Sequence, residues 1–361
     1  MKTLTVETST NNYQIVIKEN IRFSVPDYLE KTYSSIFVIT DETVAPLYAD
    51  DVVQSFAENG YDVQIKAIPS GEASKSMEMY EALQTSLLKA GVDRKGLIIA
   101  LGGGVVGDLA GFVAATFMRG IDYIQMPTTI LAHDSSVGGK VAINHRLGKN
   151  LIGSFYPPAA VLYDTGTLRS LPTNEIRSGY AELVKEACIG NADFLNELLD
   201  VSLNSISNHQ LQEHLYKGIQ IKQSIVEQDE KEANIRMFLN FGHTLAHAIE
   251  TESGYGTLTH GEAVAIGMLF ALRLSENELA VTVPSKQIAY WFHENQYPLT
   301  LSSLDVTQLM KHMKSDKKTE NQQIQMVLLE KVESPLMKKI SDEVLTQALD
   351  TFMEEMNDTW R

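Results

Sequence analysis

Cysteine is almost missing from this chain of 361 residues, which contains only Cys188. A single cysteine excludes an intrachain disulfide, and the first residues show no apolar signal core, so the sequence predicts a cytoplasmic protein. No stretch approaches the ~20 consecutive apolar residues that a membrane-spanning helix requires. We therefore expect no membrane partner, and we interpret Cys188 as a small buried core residue.

Basic residues are also scarce, because 30 lysines and arginines stand against 46 acidic residues and give a net charge of −16. That balance argues against nucleic acid or an anionic membrane as a partner, since both require a basic surface. It does not exclude a small anionic substrate, because a few lysines and arginines can converge on one pocket. The length is sufficient for two domains of ~100–200 residues each.

The periodicity of apolar residues changes near residue 170. Before it, short apolar runs alternate with helical patterns, which predicts a parallel sheet with ligand sites at the carboxyl ends of its strands. The predicted strands cover residues 36–39, 61–68, 97–101 and 123–126. After Pro172 the patterns are helical. We therefore predict a Rossmann-like α/β nucleotide-binding domain over residues 1–170 and an all-α, metal-binding domain over residues 171–361.

A glycine-rich turn follows the third predicted strand, and Gly102, Gly104 and Gly107 satisfy the pattern G-x-G-x-x-G. Such a turn can bring backbone amides and a helix N-terminus to a phosphate. It lies on the third strand rather than the first, so a tight turn without a ligand remains an alternative. Asp41 and Glu72 are candidates for ribose hydroxyls, or they are turn and capping acids.

The second half carries the groups that suit a metal. Glu182 and Lys185 lie three residues apart on a predicted helix, which indicates either a site or a surface ion pair. His243 and His247 share a helix face at a spacing of four, and His260 begins a His-Gly-Glu turn. Chemistry alone favours His243 and His247 as a ligand pair, with His260 or Glu182 completing the set.

Several basic residues lie in glycine-rich or apolar surroundings, where they could form a pocket for phosphate and carboxylate groups. Each of them could equally be a solvated surface residue. They are Lys140, Lys149, Lys185, Lys222 and Arg236.

Eight segments, in this order along the chain, resemble the signature segments of the 3-dehydroquinate synthase family and its sugar-phosphate cyclase relatives. They are residues 69–75, 102–108, 127–129, 134–140, 148–150, 179–185, 240–247 and 260–262. One departure is visible, because the chain between Pro127 and Asp134 is one residue shorter than in many members. That departure leaves the position of Asp134 open.

The resemblance implies an NAD- and metal-dependent lyase of the shikimate pathway. It would convert 3-deoxy-D-arabino-heptulosonate 7-phosphate to 3-dehydroquinate and phosphate by transient oxidation, phosphate elimination, reduction and aldol cyclisation. Rival interpretations are a cyclase of neutral sugar phosphates, a metal-dependent polyol dehydrogenase, and a non-catalytic NAD or metal sensor. Lys222 and Arg236, as a clamp for a carboxylate, favour the acid substrate.

The resemblance also implies residue roles. Zinc, or cobalt, would be bound by Glu182, His243 and His260. His247 is then assigned to substrate binding rather than to the metal. The family is usually dimeric, so Arg119 would reach the neighbouring subunit's site. Further catalytic and substrate-binding residues would be Asp134, Lys140, Lys149, Asn150, Lys185, Lys222, Arg236, Asn240 and one of Lys317 or Lys318. NAD would contact Asp41, Ser70, Gly71, Glu72, Ala73, Ser74, Lys75, Gly104, Val105, Val106, Gly107, Asp108, Thr128, Thr129, Lys140, Lys149, Thr167, Leu168, Arg169 and Ser170.

Overall fold

The structure is a computed structural model that describes residues 1–232, 234–254, 257–301, 304–315 and 324–359. The chain forms two compact units. The first comprises Met1–Leu171 and Asn208–Glu230, and the second comprises Pro172–Ser207 and Lys231–Arg361. No helix within the described ranges is both long and apolar enough to cross a membrane.

The first unit is built on a seven-stranded sheet of order β1-β2-β9-β6-β5-β3-β4, in which only the β1–β2 pair is antiparallel. An antiparallel hairpin, β7–β8, lies apart from this sheet. The strands are β1 (Lys2–Val6), β2 (Tyr13–Lys18), β3 (Ile36–Asp41), β4 (Val63–Ile68), β5 (Leu97–Gly102), β6 (Asp122–Pro127), β7 (Lys140–His145), β8 (Gly148–Phe155) and β9 (Ala160–Asp164).

Both faces of the sheet are covered, which explains why its central strands are continuous apolar runs. Leu87 and Val113 pack with Ile98 on one face, and Phe56 packs with Ile99 on the other. The helices of this unit are α1 (Asp50–Ala57), α2 (Met77–Lys89), α3 (Gly104–Thr116), α4 (Ala132–Ser135) and α7 (Asn208–Gln228), with shorter turns of helix at Ile21–Tyr28, Ala45–Ala49, Glu72–Ser74, Phe117–Arg119 and Thr167–Ser170.

The predicted strands are confirmed, with the second beginning at Val63 rather than at residue 61. The units differ from the predicted division 1–170 and 171–361 in one helix, because α7 belongs to the first unit. It packs against β1, β2 and α4, and Gln212 on α7 donates a hydrogen bond of 2.8 Å to the carbonyl oxygen of Ile17. An amphipathic helix is recognisable in sequence, but the partner of its apolar face is not.

The second unit is mostly helical, but it is not all-α as predicted. Its strands β10 (Ile324–Lys331) and β11 (Ser334–Ile340) form an antiparallel hairpin. Strand β10 packs against the helix that contains Ser275, and the Leu329 amide donates a hydrogen bond to Ser275 Oγ. The apolar residues of β10 are therefore covered by this helix. The helices are α5 (Thr173–Gly190), α6 (Ala192–Leu199), α8 (His243–Ser253), α9 (His260–Leu279), α10 (Ser285–Glu294), α11 (Val306–Ser315) and α12 (Asp342–Thr359), with short turns at Leu203–Ser205 and Ile235–Asn240.

Candidate functional site

The residues predicted to bind the dinucleotide follow the carboxyl ends of five parallel strands. This edge is where ligands bind in open α/β sheets, because loops and helix N-termini converge there. In sheet order the segments are 167–170 after β9, 128–129 after β6, 104–108 after β5, Asp41 at the end of β3 and 70–75 after β4.

The glycine turn joins β5 directly to α3, a helix of 13 residues whose N-cap is Gly103. The first amides of a helix have no acceptor within it, so this terminus suits an anion. The amide of Thr128 donates a 3.0 Å hydrogen bond to the carbonyl oxygen of Gly102, which fixes the two strand ends together. The buried Thr128 hydroxyl has no hydrogen-bond partner among the described residues, so it is a group that a ligand could satisfy.

Asp41 stabilises the local backbone. Its Oδ1 accepts hydrogen bonds from the amides of Thr43 and Val44, at 2.8 and 3.0 Å, and from Ser70 Oγ at 3.0 Å. These contacts link the ends of β3 and β4 and support the interpretation of Asp41 as a turn acid. A role at a ribose stays a prediction.

Lys75 is the centre of a polar network in the first unit. Its Nζ donates to Asp108 Oδ2 at 2.7 Å and to Asn150 Oδ1 at 2.6 Å. The side chain of Glu72 lies 4.0 Å from the same ammonium and accepts a 2.7 Å hydrogen bond from Asn144 Nδ2. Three segments distant in sequence, around residues 72–75, 108 and 144–150, are thus brought together.

Charge in this network is balanced against burial. Burial raises the pKa of Asp108 above its ordinary value, while Lys75 and Lys222 lower that pKa and Glu72 raises it. Lys222 Nζ lies 3.0 Å from Asp134 Oδ2 and also donates to the Asp134 carbonyl oxygen. The structure therefore places Asp134 against Lys222 within the first unit.

The turn Thr167–Ser170 presents its side chains in different directions. Ser170 Oγ accepts a 2.7 Å hydrogen bond from Tyr48 Oη, and Leu168 is buried in the core. Arg169 is exposed and pairs with Glu19. The hydroxyl of Thr167 donates to the Asp164 carbonyl oxygen, and that of Ser170 donates to the Thr167 carbonyl oxygen. The contacts of this turn with NAD stay predictions.

Two further groups of predicted residues occupy turns and hairpins. Met118, Arg119 and Gly120 have consecutive positive φ values of 50°, 72° and 114°. Such backbone is uncommon for non-glycine residues and tends to be retained at functional positions. Lys140 begins β7, and Lys149 lies on β8 before Asn150, which has a φ of 54°.

The second unit brings a carboxylate and two imidazoles together. Glu182 Oε1 lies 3.5 Å from His243 Nε2 and 3.6 Å from His260 Nε2. The ligand atoms of these three residues, which come from α5, α8 and α9, lie within 4.8 Å of one another. The ammonium of Lys185, one turn along α5, pairs with Glu182 Oε2, and both side chains are only 1% exposed.

This carboxylate fits a bound cation. Glu182 Oε2 pairs with the Lys185 ammonium, whereas the buried Oε1 accepts no hydrogen bond from any residue that the structure describes. A buried carboxylate oxygen without a donor is costly, and a divalent cation would satisfy it. Two histidines and one carboxylate are also a typical catalytic zinc set, because they leave coordination positions open.

His247, which spacing alone favours as the partner of His243, belongs to a different arrangement. Its ring centroid is 5.5 Å from that of His243. However, no candidate ligand set in the described ranges contains both residues, whereas one set joins His247 with Glu250 and His260. The i, i+4 pair is therefore not the group that the structure assembles with Glu182.

Close helix packing positions the three groups. A Cβ on Gly261 would collide with the carbonyl oxygen of Ser178, so α9 approaches α5 backbone to backbone beside His260. The start of α9 is fixed by a capping box in which Thr259 and Glu262 bond each other's backbone. Small residues next to the ligands thus allow side chains from separate helices to reach one point.

Two predicted anion-binding residues lie on the turn Ile235–Asn240 of the same unit. Arg236 is 1% exposed, and Asn240 Nδ2 lies 3.4 Å from Glu232 Oε1. Lys222, the predicted partner of Arg236 at a substrate carboxylate, lies in the first unit. Lys317 and Lys318 fall outside the described residues.

Sequence reasoning missed two polar residues that the structure places at these sites, Asn144 and Glu250. Asn144 bonds Glu72, and its Oδ1 accepts a 2.9 Å hydrogen bond from the Asn150 amide. Glu250 contacts His260. The signal for Glu250 was available, since it lies seven residues after His243 on the same helical face.

Known proteins are similar to this chain over almost its whole length. Residues 65–178 match the family described as 3-dehydroquinate synthase N-terminal, and residues 179–319 match 3-dehydroquinate synthase C-terminal. A 3-dehydroquinate synthase of Oceanobacillus iheyensis is 56% identical, over 99% of both chains.

Two solved structures are similar over nearly their full length. A 2-deoxy-scyllo-inosose synthase, complexed with carbaglucose-6-phosphate, NAD⁺ and Co²⁺, superposes with a TM-score of 0.88 at 26% identity and covers 99% of this chain and 100% of its own. A 2-epi-5-epi-valiolone synthase from Streptomyces hygroscopicus subsp. jinggangensis, with NAD⁺ and Zn²⁺ bound, gives 0.84 at 21% identity over 97% of this chain and 99% of its own. The second likeness shows the fold alone.

Proposed function

The chain belongs to the 3-dehydroquinate synthase family, and we propose that it converts 3-deoxy-D-arabino-heptulosonate 7-phosphate to 3-dehydroquinate and phosphate. The observation that carries this proposal is the buried Glu182 carboxylate, whose Oε1 faces two imidazole nitrogens and whose Oε2 pairs with the Lys185 ammonium. A carboxylate, two imidazoles and an ammonium at one point can bind a cation and also donate to a substrate oxygen, as metal-assisted catalysis requires.

We assign Glu182, His243 and His260 as the ligands of Zn²⁺ or Co²⁺, and the carboxyl edge of the first unit's sheet as the NAD site. When bound, the cation would supply a Lewis acid and NAD⁺ a reversible hydride acceptor, so the reaction has no net redox change. The similar 2-deoxy-scyllo-inosose synthase has NAD⁺ and Co²⁺ bound, which supports the choice of these two cofactors.

Lys185 and His247 act on substrate hydroxyls. The Lys185 ammonium is held by Glu182 in a buried position, so it can donate a hydrogen bond to an oxygen that gains negative charge. His247 shares α8 with His243, and its ring centroid is 6.1 Å from that of His260, within reach of a ligand bound there. Both residues orient the substrate next to the cation.

Basic residues neutralise the two anionic ends of the substrate. Lys222 and Arg236 bind its carboxylate, and Lys140, Lys149, Asn150 and Asn240 bind its phosphate and hydroxyl groups. Fixing both ends of a flexible open chain reduces the entropy that ring closure must overcome. The Lys75 network holds Asn150 in place for this purpose.

We also propose that the enzyme works in the cytoplasm as a homodimer in which Arg119 serves the neighbouring subunit. The left-handed turn at Met118–Gly120 supports a functional role for Arg119. If Arg119 acts across the dimer, mixing the two inactive variants Arg119→Ala and Glu182→Gln will restore part of the activity, because each mixed dimer contains one intact site. Failure to restore activity would contradict the shared site.

The activity is tested by following phosphate and dehydroquinate together, with purified protein, substoichiometric NAD⁺ and added Zn²⁺. We expect many turnovers per NAD⁺ without accumulation of NADH, whereas a polyol dehydrogenase would accumulate NADH stoichiometrically and a sensor would give no turnover. A cyclase of neutral sugar phosphates would not accept the acid.

Substitution of the central carboxylate tests the metal site. Loss of a ligand should exceed the ~10–100-fold effect of losing an outer partner, so we expect Glu182→Gln to lower kcat/KM more than ~100-fold. Glu175→Gln, in the first turn of the same helix, is the control and should retain activity. Unchanged phosphate release by Glu182→Gln after thorough metal removal would refute the assignment.

A further inference from the structure

The two ring nitrogens of His260 face different carboxylates. Nε2 lies 3.6 Å from Glu182 Oε1, and Nδ1 lies 3.2 Å from Glu250 Oε2. Glu250 is on α8, is only 8% exposed, and has no role in the metal site proposed above. Because each ring nitrogen of His260 has its own carboxylate partner, these two partners determine the rotation and the tautomer of the ring.

His243 has the same arrangement with a different acceptor. Its Nδ1 lies 3.2 Å from the carbonyl oxygen of Phe241, and its Nε2 lies 3.5 Å from Glu182 Oε1. The two histidines therefore direct Nε2 to the same oxygen atom, while each Nδ1 has an acceptor. A carbonyl cannot accept from an unprotonated nitrogen, so this contact requires the proton of His243 on Nδ1.

We propose that Glu250 is the positioning residue of His260: its carboxylate accepts the Nδ1 proton and leaves the Nε2 lone pair for the cation. Histidines that bind metals generally donate their second N–H to a carboxylate or carbonyl, which orients the ring and raises the basicity of the ligand nitrogen. The inference rests on the proposed metal site and adds to it a residue that completes the carboxylate–imidazole–metal series.

Glu250 could instead be a ligand itself, because its oxygen, a His247 nitrogen and a His260 nitrogen also lie within 4.8 Å of one another. Two observations favour the positioning role. Glu182 Oε1 is buried without a hydrogen-bond partner among the described residues, so this oxygen has the greater need of a cation. His243 and His260 also point the same nitrogen at Glu182.

The test measures Co²⁺ affinity by competition with a chelator, together with the visible absorption spectrum of bound Co²⁺. We expect Glu250→Ala to weaken Co²⁺ binding ~10–100-fold with the absorption bands retained, because the three ligands remain. Glu250→Gln should weaken it less, since its amide oxygen still accepts the Nδ1 proton. Glu250→Asp, with a shorter side chain, should lie between Gln and Ala.

Glu252→Gln is the matched control, because Glu252 is on the same helix but pairs with His312. It should leave Co²⁺ affinity unchanged, and the unfolding temperature of the metal-free protein should be equal in all variants that fold. If Glu250→Ala does not fold, Glu250→Leu decides, because it keeps most of the volume of the side chain and removes the acceptor.

Three results would overturn the inference, and they are distinguishable. Unchanged Co²⁺ affinity in the Glu250 variants removes the positioning role and leaves the metal site standing. A loss as large as in Glu182→Gln, with an altered absorption spectrum, makes Glu250 a ligand. A parent protein that binds no Co²⁺ refutes the metal site of the proposed function, and this inference with it.

Discussion

Gly267 and Gly242 mark the point at which helices α9 and α8 meet backbone to backbone. A Cβ on Gly267 would collide with the carbonyl oxygen of Gly242, which has a φ of 82° and immediately precedes His243. The absence of a side chain at Gly267 therefore allows the start of α8 to approach α9 this closely. The distance between His243 and Glu182 depends on a contact that involves neither residue.

Gly267→Ala should weaken the metal site without altering any ligand. The added methyl group forces the two helices apart, and overpacking of this kind costs about 1–3 kcal/mol. We expect a lower unfolding temperature and weaker Co²⁺ binding, measured by thermal denaturation and chelator competition. Wild-type affinity in a normally stable Gly267→Ala protein would show that the helices tolerate separation.

The ion pair of Asp164 with Arg22 should be a major source of stability in the first unit. Asp164 is 2% exposed, accepts a 2.9 Å hydrogen bond from the Arg22 guanidinium, and accepts from the amides of Asn20 and Gly166. Removing one partner of a buried pair costs about 3–5 kcal/mol, so Asp164→Ala should lower the free energy of unfolding by that amount in urea titration.

Asp51 provides the control, because it pairs with the same guanidinium at 2.7 Å but its side chain is 33% exposed. Exposed pairs contribute about 0–1 kcal/mol, so Asp51→Asn should have a small effect. Equal losses in the Asp164 and Asp51 variants would contradict the importance of burial here.

Cys188 should be unreactive in the folded protein. Burial raises the pKa of its thiol to about 12, so very little thiolate exists near pH 8. We expect a chromogenic disulfide reagent to label no thiol in the native protein and one per chain in denaturant. Rapid labelling of the native protein would show that the helix around Cys188 opens.

The same pKa predicts a dependence of stability on pH. Between the ordinary value of 9.0 and about 12, the unfolded thiol ionises while the folded thiol keeps its proton. Stability is therefore lost as pH rises through this range, by at most about 1.4 kcal/mol per unit. Urea titrations of the parent and Cys188→Ala should converge with rising pH, and parallel curves would exclude this linkage.

Lys222→Met should impair recognition of the acid substrate. Hydrogen bonds to charged groups contribute about 1.5–3 kcal/mol, so we expect kcat/KM to fall ~10–100-fold, chiefly through KM. Lys217→Met, on the same helix α7, is the control and should leave KM unchanged. An unaltered KM in Lys222→Met would remove Lys222 from the substrate site in steady-state assays.

Local patterns in the sequence determined much of this fold. The run Ile36–Ile39 is apolar on both faces and predicts a covered strand, and the glycine turn at residues 102–107 predicts the start of a helix. Both features depend on neighbouring residues, so they can be read without tertiary information. The hairpin β10–β11 was missed because its apolar run is interpretable only when α9 is known to pack against it.

The sequence by itself determined that the chain carries a carboxylate, several imidazoles and a lysine suited to metal chemistry. Only the tertiary structure decided which of them meet. Helical spacing joins His243 to His247, whereas the structure joins His243 and His260 to Glu182. The physical reason is that the group draws on three helices, and their approach depends on backbone contacts at Gly261 and Gly267 between segments far apart in the chain.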